Sequence, residues 1–397
     1  MTKLSSRINK LSESQTLAMA KKSRELQAQG KDIISLSIGE PDFDTPQFIK
    51  DAAYKAIKEN FTHYTPVPGF LDLREAIATK FKRDNDLIYT PQQIVVSTGA
   101  KQAIANVILS LIDPNEEVIV PVPYWVSYIE LIKMADGIPV FIPTGIESNF
   151  KITPEQLKAA ITPKTKMIIF STPCNPSGSV YNKEELRALA EVISQYPDLY
   201  IVSDEIYEHI NFAGKHESIA QFDFIYDRVI TVNGVSKSFA MTGWRIGYIG
   251  APVWIAQACE KMQGQFTSGT SSVSQKAATA ALLADVSETF EMRDAFRRRR
   301  DLVLKLLGEI PGLKLNVPDG AFYVFPDCSF YFGKKFGNHL IKDSHDLSMY
   351  LLDEAGVAIV SGDAFGDNNC FRFSYAAADE RLVEAIRRMK LALEKLN

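Results

Sequence analysis

The chain has 397 residues, of which 46% are hydrophobic, 23% charged and 10% aromatic. These fractions are typical of a soluble globular protein and exclude a disordered, collagen-like or coiled-coil chain. The 44 basic and 48 acidic side chains leave a formal net charge of −4, which argues against nucleic-acid binding because phosphate groups need a basic surface. A chain of this length exceeds a usual single core, so we expect two domains.

The sequence gives no sign of export, a membrane span or a metal site. The four cysteines, Cys174, Cys259, Cys328 and Cys370, are far apart, so reduced thiols and a cytoplasmic location are expected. The N-terminus lacks the apolar core of a secretory signal, and apolar runs such as 167–170 are too short to cross a bilayer. The five histidines are scattered, so no metal ligand set is predicted.

The first predicted element is a polar helix over 14–29, which Gly30 ends as a C-cap. A short apolar segment, 33–38, leads into the loop 39–42. Short β-rich runs then alternate with helical patterns such as 102–111, 124–134 and 183–196. The runs are 94–97, 117–120, 139–142, 166–170, 200–202, 229–232 and 246–249. This alternation predicts a mostly parallel seven-stranded sheet with helices on both faces.

The last part of the sequence follows a different pattern. A long helix is predicted over 287–307, and its basic run 297–300 predicts a solvated or dimer-facing surface. Shorter strands over 321–325, 358–360 and 371–375 and a last helix over 379–396 indicate a smaller α+β domain. The predicted units are an N-terminal segment of residues 1–45 that packs with the small domain, a large domain of residues 46–285 and a small domain of residues 286–397.

Ligands of open α/β sheets lie beyond the carboxyl ends of the strands, so the residues after each run form the candidate site. Gly99, Ala100 and Lys101 follow the run 94–97. They form either an ordinary turn or a helix N-terminus that binds an anion. Asn175 follows a later run among two prolines and a glycine, either as a turn residue or as a rigidly held hydrogen-bonding group.

Two charged residues also follow predicted strands. Asp204 comes after the run 200–202, where a buried carboxylate needs a cationic partner unless it caps the next turn. Lys237 lies in a small-residue loop after 229–232. Burial there would lower its pKa and make it a candidate amine nucleophile, unless the side chain extends to solvent.

Together these features indicate a pyridoxal phosphate site. The ring nitrogen of that cofactor must stay protonated to accept electrons, and Asp204 would hold the proton by charge pairing. The helix end at 99–101, Ser236 and the planar guanidinium of Arg245 would bind the phosphate. Nucleotide-binding glycine loops, the GxSxG hydrolase motif and the HExxH zinc motif are absent from the sequence.

A series of short motifs spans nearly the whole chain. In order they are SIGEPDF at 37–43, HYTP at 63–66, PYWVSY at 123–128, NPSG at 175–178, SDEIY at 203–207, SKSFAMTGWR at 236–245, AFY at 321–323 and FRFSY at 371–375. This series resembles the aspartate aminotransferase family of fold-type I pyridoxal phosphate enzymes. It is most similar to the bacterial subgroup that also includes prephenate aminotransferases.

The resemblance implies how the matched residues would bind the cofactor. Lys237 would form the Schiff base, and Asp204 would pair with the pyridinium nitrogen. Tyr207 and Asn175 would contact the phenolic oxygen. Trp125 would stack on the cofactor ring, although an aromatic residue at this position is also compatible with plain core packing.

The resemblance also implies substrate contacts and a homodimer. Arg372 would bind the substrate α-carboxylate with Asn175 and the Gly39 backbone, since a planar guanidinium suits a carboxylate; an edge-strand arginine facing water is the alternative. Tyr64 would reach the phosphate of the neighbouring subunit's cofactor, unless it is simply a turn aromatic.

In the resembled subgroup, the positions that match Lys101 and Thr16 bind the distal carboxylate of the substrate. Their presence favours L-aspartate as amino donor and 2-oxoglutarate as acceptor, giving oxaloacetate and L-glutamate by a ping-pong mechanism. Use of prephenate, a broader aromatic specificity or a pyridoxal phosphate β-lyase stays open. A non-catalytic binding protein is the alternative from another class, but such a protein would often lose the lysine or its aspartate. The expected partners are small amino and 2-oxo acids, with no nucleic acid and no membrane.

Overall fold

The structure is a computed structural model that describes residues 4–397, so the first three residues of the predicted N-terminal segment lie outside the described residues. In this range the helices are α1 (Ser6–Asn9), α2 (Gln15–Ala28), α3 (Gln47–Lys58), α4 (Leu71–Asn85), α5 (Ala100–Leu111), α6 (Ser127–Met134), α7 (Pro154–Ala160), α8 (Lys183–Ser194), α9 (Val253–Phe266), α10 (Ser272–Leu283), α11 (Phe290–Gly308), α12 (Ser344–Ala355) and α13 (Asp379–Leu393).

The strands are β1 (Ile34–Ser35), β2 (Ile94–Thr98), β3 (Glu117–Pro121), β4 (Ile138–Ile142), β5 (Thr165–Ser171), β6 (Tyr200–Asp204), β7 (Val229–Gly234), β8 (Ile246–Gly250), β9 (Tyr323–Val324), β10 (Lys335–Phe336), β11 (His339–Leu340), β12 (Val357–Ala358), β13 (Val360–Ser361) and β14 (Phe371–Ser374). None of the helices in the described range combines the length and apolar character that a membrane crossing needs.

Seven strands form the central sheet, in the order β2-β8-β7-β6-β5-β3-β4. The strands from β7 to β4 run parallel to their neighbours, whereas β8 runs antiparallel to both β2 and β7. The predicted mostly parallel sheet is therefore confirmed. Because β2, β5, β6 and β7 point in one direction, their carboxyl ends meet at the same edge of the sheet.

The central sheet is buried on both faces. Ile168 and Ile201 belong to the core on one face, and the next residues, Ile169 and Val202, belong to the core on the other. Successive side chains of a strand point to opposite faces, so continuous apolar runs are what a sheet covered on both sides requires.

Local sequence explains where the helices begin and end. Asn182 caps α8 because its side chain accepts a hydrogen bond from the Glu185 N–H, while the Glu185 carboxylate accepts one from the Asn182 N–H. Leu186 and Ile193 then recur at helical spacing on the buried side. Gly30 has a φ of 83°, which favours glycine, so the predicted end of α2 is confirmed.

The C-terminal part contains a three-stranded antiparallel sheet, β13-β14-β9, and β1 from the N-terminal segment pairs in parallel with β12. The predicted strand 321–325 is shortened to β9 because Ala321 has a φ of 58°, outside the extended region. The predicted strand 358–360 is divided between β12 and β13, which pair with different neighbours. The domain boundaries after residues 45 and 285 stay predictions.

Two helices begin three residues later than predicted. The helix predicted over 124–134 begins only at Ser127, because the Tyr124 N–H bonds to the Phe365 carbonyl at 3.1 Å instead of starting a helical turn. The helix predicted over 287–307 begins at Phe290, after a short 3₁₀ turn.

The prediction of a solvated or dimer-facing surface for the basic run 297–300 is wrong for Arg299. Arg299 is only 8% exposed and lies on the buried side of α11 with Phe296 and Val303. Residues three or four positions apart share a helix face, so consecutive arginines on an amphipathic helix cannot all face water. The other arginines of the run are exposed or half-buried.

Candidate active site

A cleft of about 500 Å³ lies at the carboxyl edge of the parallel strands. Three parts of the chain form its walls: residues near the N-terminus, the loops after the central strands, and residues of the C-terminal part. The residues lining it are Thr16, Leu17, Ala20, Arg24, Ser37, Ile38, Gly39, Glu40, Ala100, Lys101, Trp125, Ser171, Asn175, Asp204, Ile206, Tyr207, Ser236, Lys237, Thr242, Arg245, Tyr323 and Arg372.

Lys237 lies in the loop that follows β7 and faces this cleft. Its Nζ donates a hydrogen bond to the Gly39 carbonyl at 2.5 Å and lies 5.8 Å from the ring centroids of both Tyr207 and Phe322. Burial lowers the pKa of Lys237 to about 8, although the Glu40 carboxylate acts in the opposite direction. The side chain can therefore exist as a neutral amine near neutral pH.

Asp204 ends β6 and is 5% exposed. Its carboxylate accepts hydrogen bonds from the Tyr128 hydroxyl at 2.7 Å and the Ile206 N–H at 3.3 Å. Burial raises its pKa to about 6, although those two hydrogen bonds act in the opposite direction. Within residues 4–397 no cationic side chain forms an ion pair with Asp204. A buried carboxylate with this environment fits a cationic ligand group.

Arg372, on β14, presents the opposite case of a buried cation. It is 2% exposed, and its Nη atoms donate to the Asn175 side-chain oxygen at 2.9 Å and to the Ser37 carbonyl at 2.5 Å. Its Nε has no hydrogen-bond partner, and no carboxylate in the described part of the chain pairs with the guanidinium. The ring of Tyr323 lies 4.5 Å from the guanidinium carbon. This cation can therefore accept an anionic ligand.

The N-terminus of α5 forms the end of the cleft that suits an anion. Gly99 has a φ of 82°, and a Cβ atom there would lie 2.3 Å from the Arg245 guanidinium. Glycine is thus required for Arg245 to lie against the residue that precedes α5. The first amides of the helix have no acceptor within it. Burial and the neighbouring Arg245 lower the pKa of Lys101, whose Nζ lies 5.2 Å from the Trp125 ring centroid.

The structure brings nearly all the predicted site residues to this one cleft. Gly99 is not part of the lining but lies directly behind the Arg245 guanidinium. Tyr64 is the exception: it lies on the loop between α3 and α4, is 99% exposed and does not line the cleft. Its predicted role concerns a neighbouring subunit and stays a prediction. The Tyr207 hydroxyl forms a hydrogen bond with the Tyr323 hydroxyl at 2.8 Å. The predicted contact of Tyr207 with the phenolic oxygen of the cofactor also stays a prediction.

Sequence reasoning missed several residues of the site. Tyr323 is buried between Tyr207 and Arg372, and a Cβ on Gly39 would lie 2.1 Å from its hydroxyl. The AFY motif contained Tyr323, but nothing in that motif alone indicates a role. Tyr128 belongs to the PYWVSY motif. Its position three residues after the predicted site residue Trp125 is the sequence signal that places it near the site. Glu40 accepts a hydrogen bond from Thr242 across the cleft.

Among residues 4–397, two further groups of side chains have the spacing of metal ligands. They are Asp84, Glu208 and His209, and Glu205, Glu208 and His216. Both share Glu208, which already pairs with the buried Lys80 and accepts a hydrogen bond from the Asn85 amide at 2.8 Å. The protein's own ammonium group therefore neutralises this carboxylate.

The comparisons with known proteins define the class. The chain matches the aminotransferase class I and II family over residues 31–389, and it belongs to this family.

The relatives and structural neighbours make the comparison more specific. The chain is 48% identical, in an alignment 397 residues long, to a protein of Petunia hybrida named bifunctional aspartate aminotransferase and glutamate/aspartate-prephenate aminotransferase. This alignment covers 98% of this chain and 82% of that protein. It is 47% identical to the aspartate/prephenate aminotransferase of Cereibacter sphaeroides, covering 98% of each. The crystal structure of the aspartate aminotransferase from Rhizobium meliloti superposes with a TM-score of 0.97 at 41% identity and covers all of both chains. The Thermus thermophilus aspartate aminotransferase with maleate gives 0.93 at 41% identity, covering 99% of this chain and 100% of that one. These neighbours confirm the predicted fold class.

Proposed function

We propose that the protein is an aspartate aminotransferase that uses pyridoxal 5'-phosphate. It moves the amino group of L-aspartate to 2-oxoglutarate by a ping-pong mechanism and gives oxaloacetate and L-glutamate. The observation that carries this proposal is that Lys237, Asp204 and Arg372 share one cleft. An amine with a lowered pKa, a buried unpaired carboxylate and a buried unpaired guanidinium are what amino transfer from an α-amino acid requires.

The residues of the cleft fit the cofactor. When bound, pyridoxal phosphate supplies an electron sink for negative charge at the substrate α-carbon. Asp204 would hold the proton on the ring nitrogen, and the Tyr128 hydroxyl keeps that carboxylate oriented. The α5 amides, Ser236 and Arg245 would hold the phosphate, where the helix dipole and a guanidinium both favour an anion.

Lys237 is the base that moves the proton. As a neutral amine, it would accept the proton from the substrate α-carbon and donate it to the C4′ carbon of the cofactor. Burial lowers its pKa to about 8, so the neutral fraction rises steeply as the pH increases toward that value. Tyr207 and Asn175, which both line the cleft, orient the reacting groups.

The substrate is held by cations at two places. Arg372 binds the α-carboxylate, assisted by Asn175 and the Gly39 backbone. Lys101, with Thr16 from α2, binds the distal carboxylate, which favours aspartate and glutamate. Prephenate is a second candidate amino acceptor, since it also carries two carboxylates and the names of several relatives include it.

We also propose a cytoplasmic homodimer in which Tyr64 contributes to the partner's cofactor phosphate site. An almost fully exposed tyrosine on a loop is compatible with a contact across a subunit interface. The four cysteines are free and buried, as expected for a reducing compartment.

The test is a set of half-reactions with the cofactor-loaded protein. L-aspartate, L-glutamate, L-alanine and L-phenylalanine are added separately without a 2-oxo acid, and the cofactor absorbance is followed. We expect the cofactor to be converted to its amino form, and we expect this conversion to be faster with aspartate and glutamate than with alanine and phenylalanine. L-cystathionine, whose β-carbon carries a sulfur leaving group, is added in a separate reaction. Release of pyruvate and ammonia from it without an acceptor, faster than the conversion of L-aspartate, would overturn the proposal in favour of a β-lyase. In Lys237→Ala, borohydride reduction should leave no cofactor covalently attached; attachment in that variant would contradict the role of Lys237.

A further inference from the structure

Arg299 connects the small domain to the segment that borders the cleft. Its guanidinium forms a two-pronged ion pair with Asp42, with Nη1 2.6 Å from Oδ1 and Nη2 2.9 Å from Oδ2. The remaining Nε donates to the Asp379 carboxylate, at the start of α13, at 3.1 Å. The rings of Phe43 and Phe296 lie 5.3 and 5.7 Å from the guanidinium carbon. The proposed catalytic steps make no use of Arg299.

Asp42 ends the segment 37–42, which contacts both key cations of the cleft. The Ser37 carbonyl accepts a hydrogen bond from Arg372, and the Gly39 carbonyl accepts one from Lys237, both at 2.5 Å. A displacement of this segment therefore changes the surroundings of both cations together.

Besides the contacts with Arg372 and Lys237, the segment 37–42 is anchored at its two ends. At the first end, the Leu36 N–H donates to the Ala358 carbonyl at 2.8 Å, and the Leu36 carbonyl accepts a hydrogen bond from the Ser374 N–H at 3.1 Å. At the other end is the ion pair of Asp42 with Arg299. Between them, the Glu40 side chain accepts a hydrogen bond from Thr242. The Arg299 pair is the two-pronged contact of this set and is partly buried, so it restrains both the position and the orientation of the segment.

We propose that Arg299 is a positioning residue that acts through Asp42. By fixing the end of the segment 37–42, it sets where the Ser37 carbonyl meets Arg372 and where the Gly39 backbone meets the substrate α-carboxylate. It thereby determines how tightly the cleft binds dicarboxylates. This proposal rests on the proposed function, because the roles of Arg372 and Lys237 belong to it.

The two carboxylates on Arg299 provide a matched pair of variants. Asp42→Asn weakens the ion pair that joins Arg299 to the segment 37–42, whereas Asp379→Asn weakens the ion pair that joins Arg299 to α13. The two aspartate side chains have similar exposure, 29% and 38%, and both variants reduce the negative charge around the same guanidinium. A purely structural role would lower the melting temperature in both variants without separating their ligand affinities.

The experiment measures maleate binding to the cofactor-loaded protein by calorimetry. Maleate is a dicarboxylate without an amino group, so it reports the cleft without turnover. Asp42→Asn should weaken maleate binding and raise the KM for L-aspartate by about tenfold to a hundredfold, since a small misplacement of positioning groups is costly. Asp379→Asn should stay within about twofold of the wild type. Arg299→Lys, which keeps the charge but loses the planar fork, should follow Asp42→Asn.

Equal changes in the two aspartate variants, or unchanged maleate binding in both Asp42→Asn and Arg299→Lys, would overturn this proposal. If Asp42→Asn does not fold, Arg299→Lys against Asp379→Asn gives the same comparison. Failure of the wild type to bind maleate or to react with any amino acid would instead overturn the proposed function. A wild type that reacts normally, beside variants that bind maleate normally, would remove only the role of Arg299.

Discussion

The side chains of Arg372 and Asn175 meet across the cleft, with the arginine Nη1 donating to the asparagine oxygen at 2.9 Å. Arg372 comes from β14 of the three-stranded sheet, and Asn175 comes from the loop after β5 of the central sheet. This contact leaves the arginine Nε without a partner. An incoming carboxylate can therefore bind to a guanidinium whose orientation is already fixed from both sides, which lowers the entropic cost of binding.

Replacing Arg372 by lysine should weaken every amino acid substrate alike. The variant keeps a positive charge but loses the planar fork, and disrupting one side of a buried charge pair costs about 2–5 kcal/mol. We expect kcat/KM in the half-reactions to fall by roughly two orders of magnitude or more for L-aspartate, L-alanine and L-phenylalanine, since all share the α-carboxylate. Arg297→Lys, on the exposed side of α11, is the control. A loss confined to aspartate would assign Arg372 to the distal carboxylate instead.

Lys101 and Thr16 should matter only for substrates with a second carboxylate. Lys101→Gln removes the cation at this end of the cleft, and Thr16→Val removes the hydroxyl while nearly keeping its shape. In both variants we expect kcat/KM for L-aspartate to fall much more than for L-alanine or L-phenylalanine, and more in Lys101→Gln because a charge is lost. Measured half-reactions with equal losses for all three amino acids would contradict the assignment and place Lys101 with the phosphate.

Much of the fold and site was predictable because the functional residues of a parallel sheet follow the carboxyl ends of its strands. The continuous apolar runs predicted the strands of the sheet. The residues that follow these runs, Asp204 and Lys237 among them, lie at one edge of the sheet because of its topology. Tyr323 could not be found in this way, because it lies on a short strand outside the central sheet and reaches Tyr207 only through tertiary packing. Arg299 was misjudged because a run of like charges normally faces water, whereas helical periodicity turns this one arginine inward.

The effect of Asp204→Asn on stability should change sign with the cofactor. In the cofactor-free protein, burial raises the pKa of Asp204 from its usual 3.8 to about 6. A carboxyl group with a raised pKa in the folded state stabilises the fold at low pH, and this stability is lost as the pH rises through about 6. At pH 8 the ionised buried group costs about 3 kcal/mol, which Asp204→Asn should recover.

Thermal unfolding of the cofactor-free and cofactor-loaded proteins checks this prediction. Without cofactor, Asp204→Asn should raise the melting temperature at pH 8 and raise it less at pH 5. With pyridoxal phosphate bound, the same variant should lower the melting temperature, because the ring nitrogen loses its anionic partner. A stabilising effect that persists in the loaded protein would contradict the pairing of Asp204 with the cofactor.

Glu40 should set the pH range in which Lys237 acts as a base. The Glu40 carboxylate raises the pKa of Lys237, against the larger lowering by burial. In Glu40→Gln the ammonium form loses this attraction, so the neutral amine should exist at lower pH, while glutamine can still accept the Thr242 hydrogen bond. The acid limb of the single-turnover rate at saturating L-alanine should therefore shift to lower pH. Glu147→Gln, outside the cleft lining, is the charge-matched control and should leave the profile unchanged. An unmoved limb in Glu40→Gln, or a shift to higher pH, would show that this carboxylate does not act on the lysine during proton transfer.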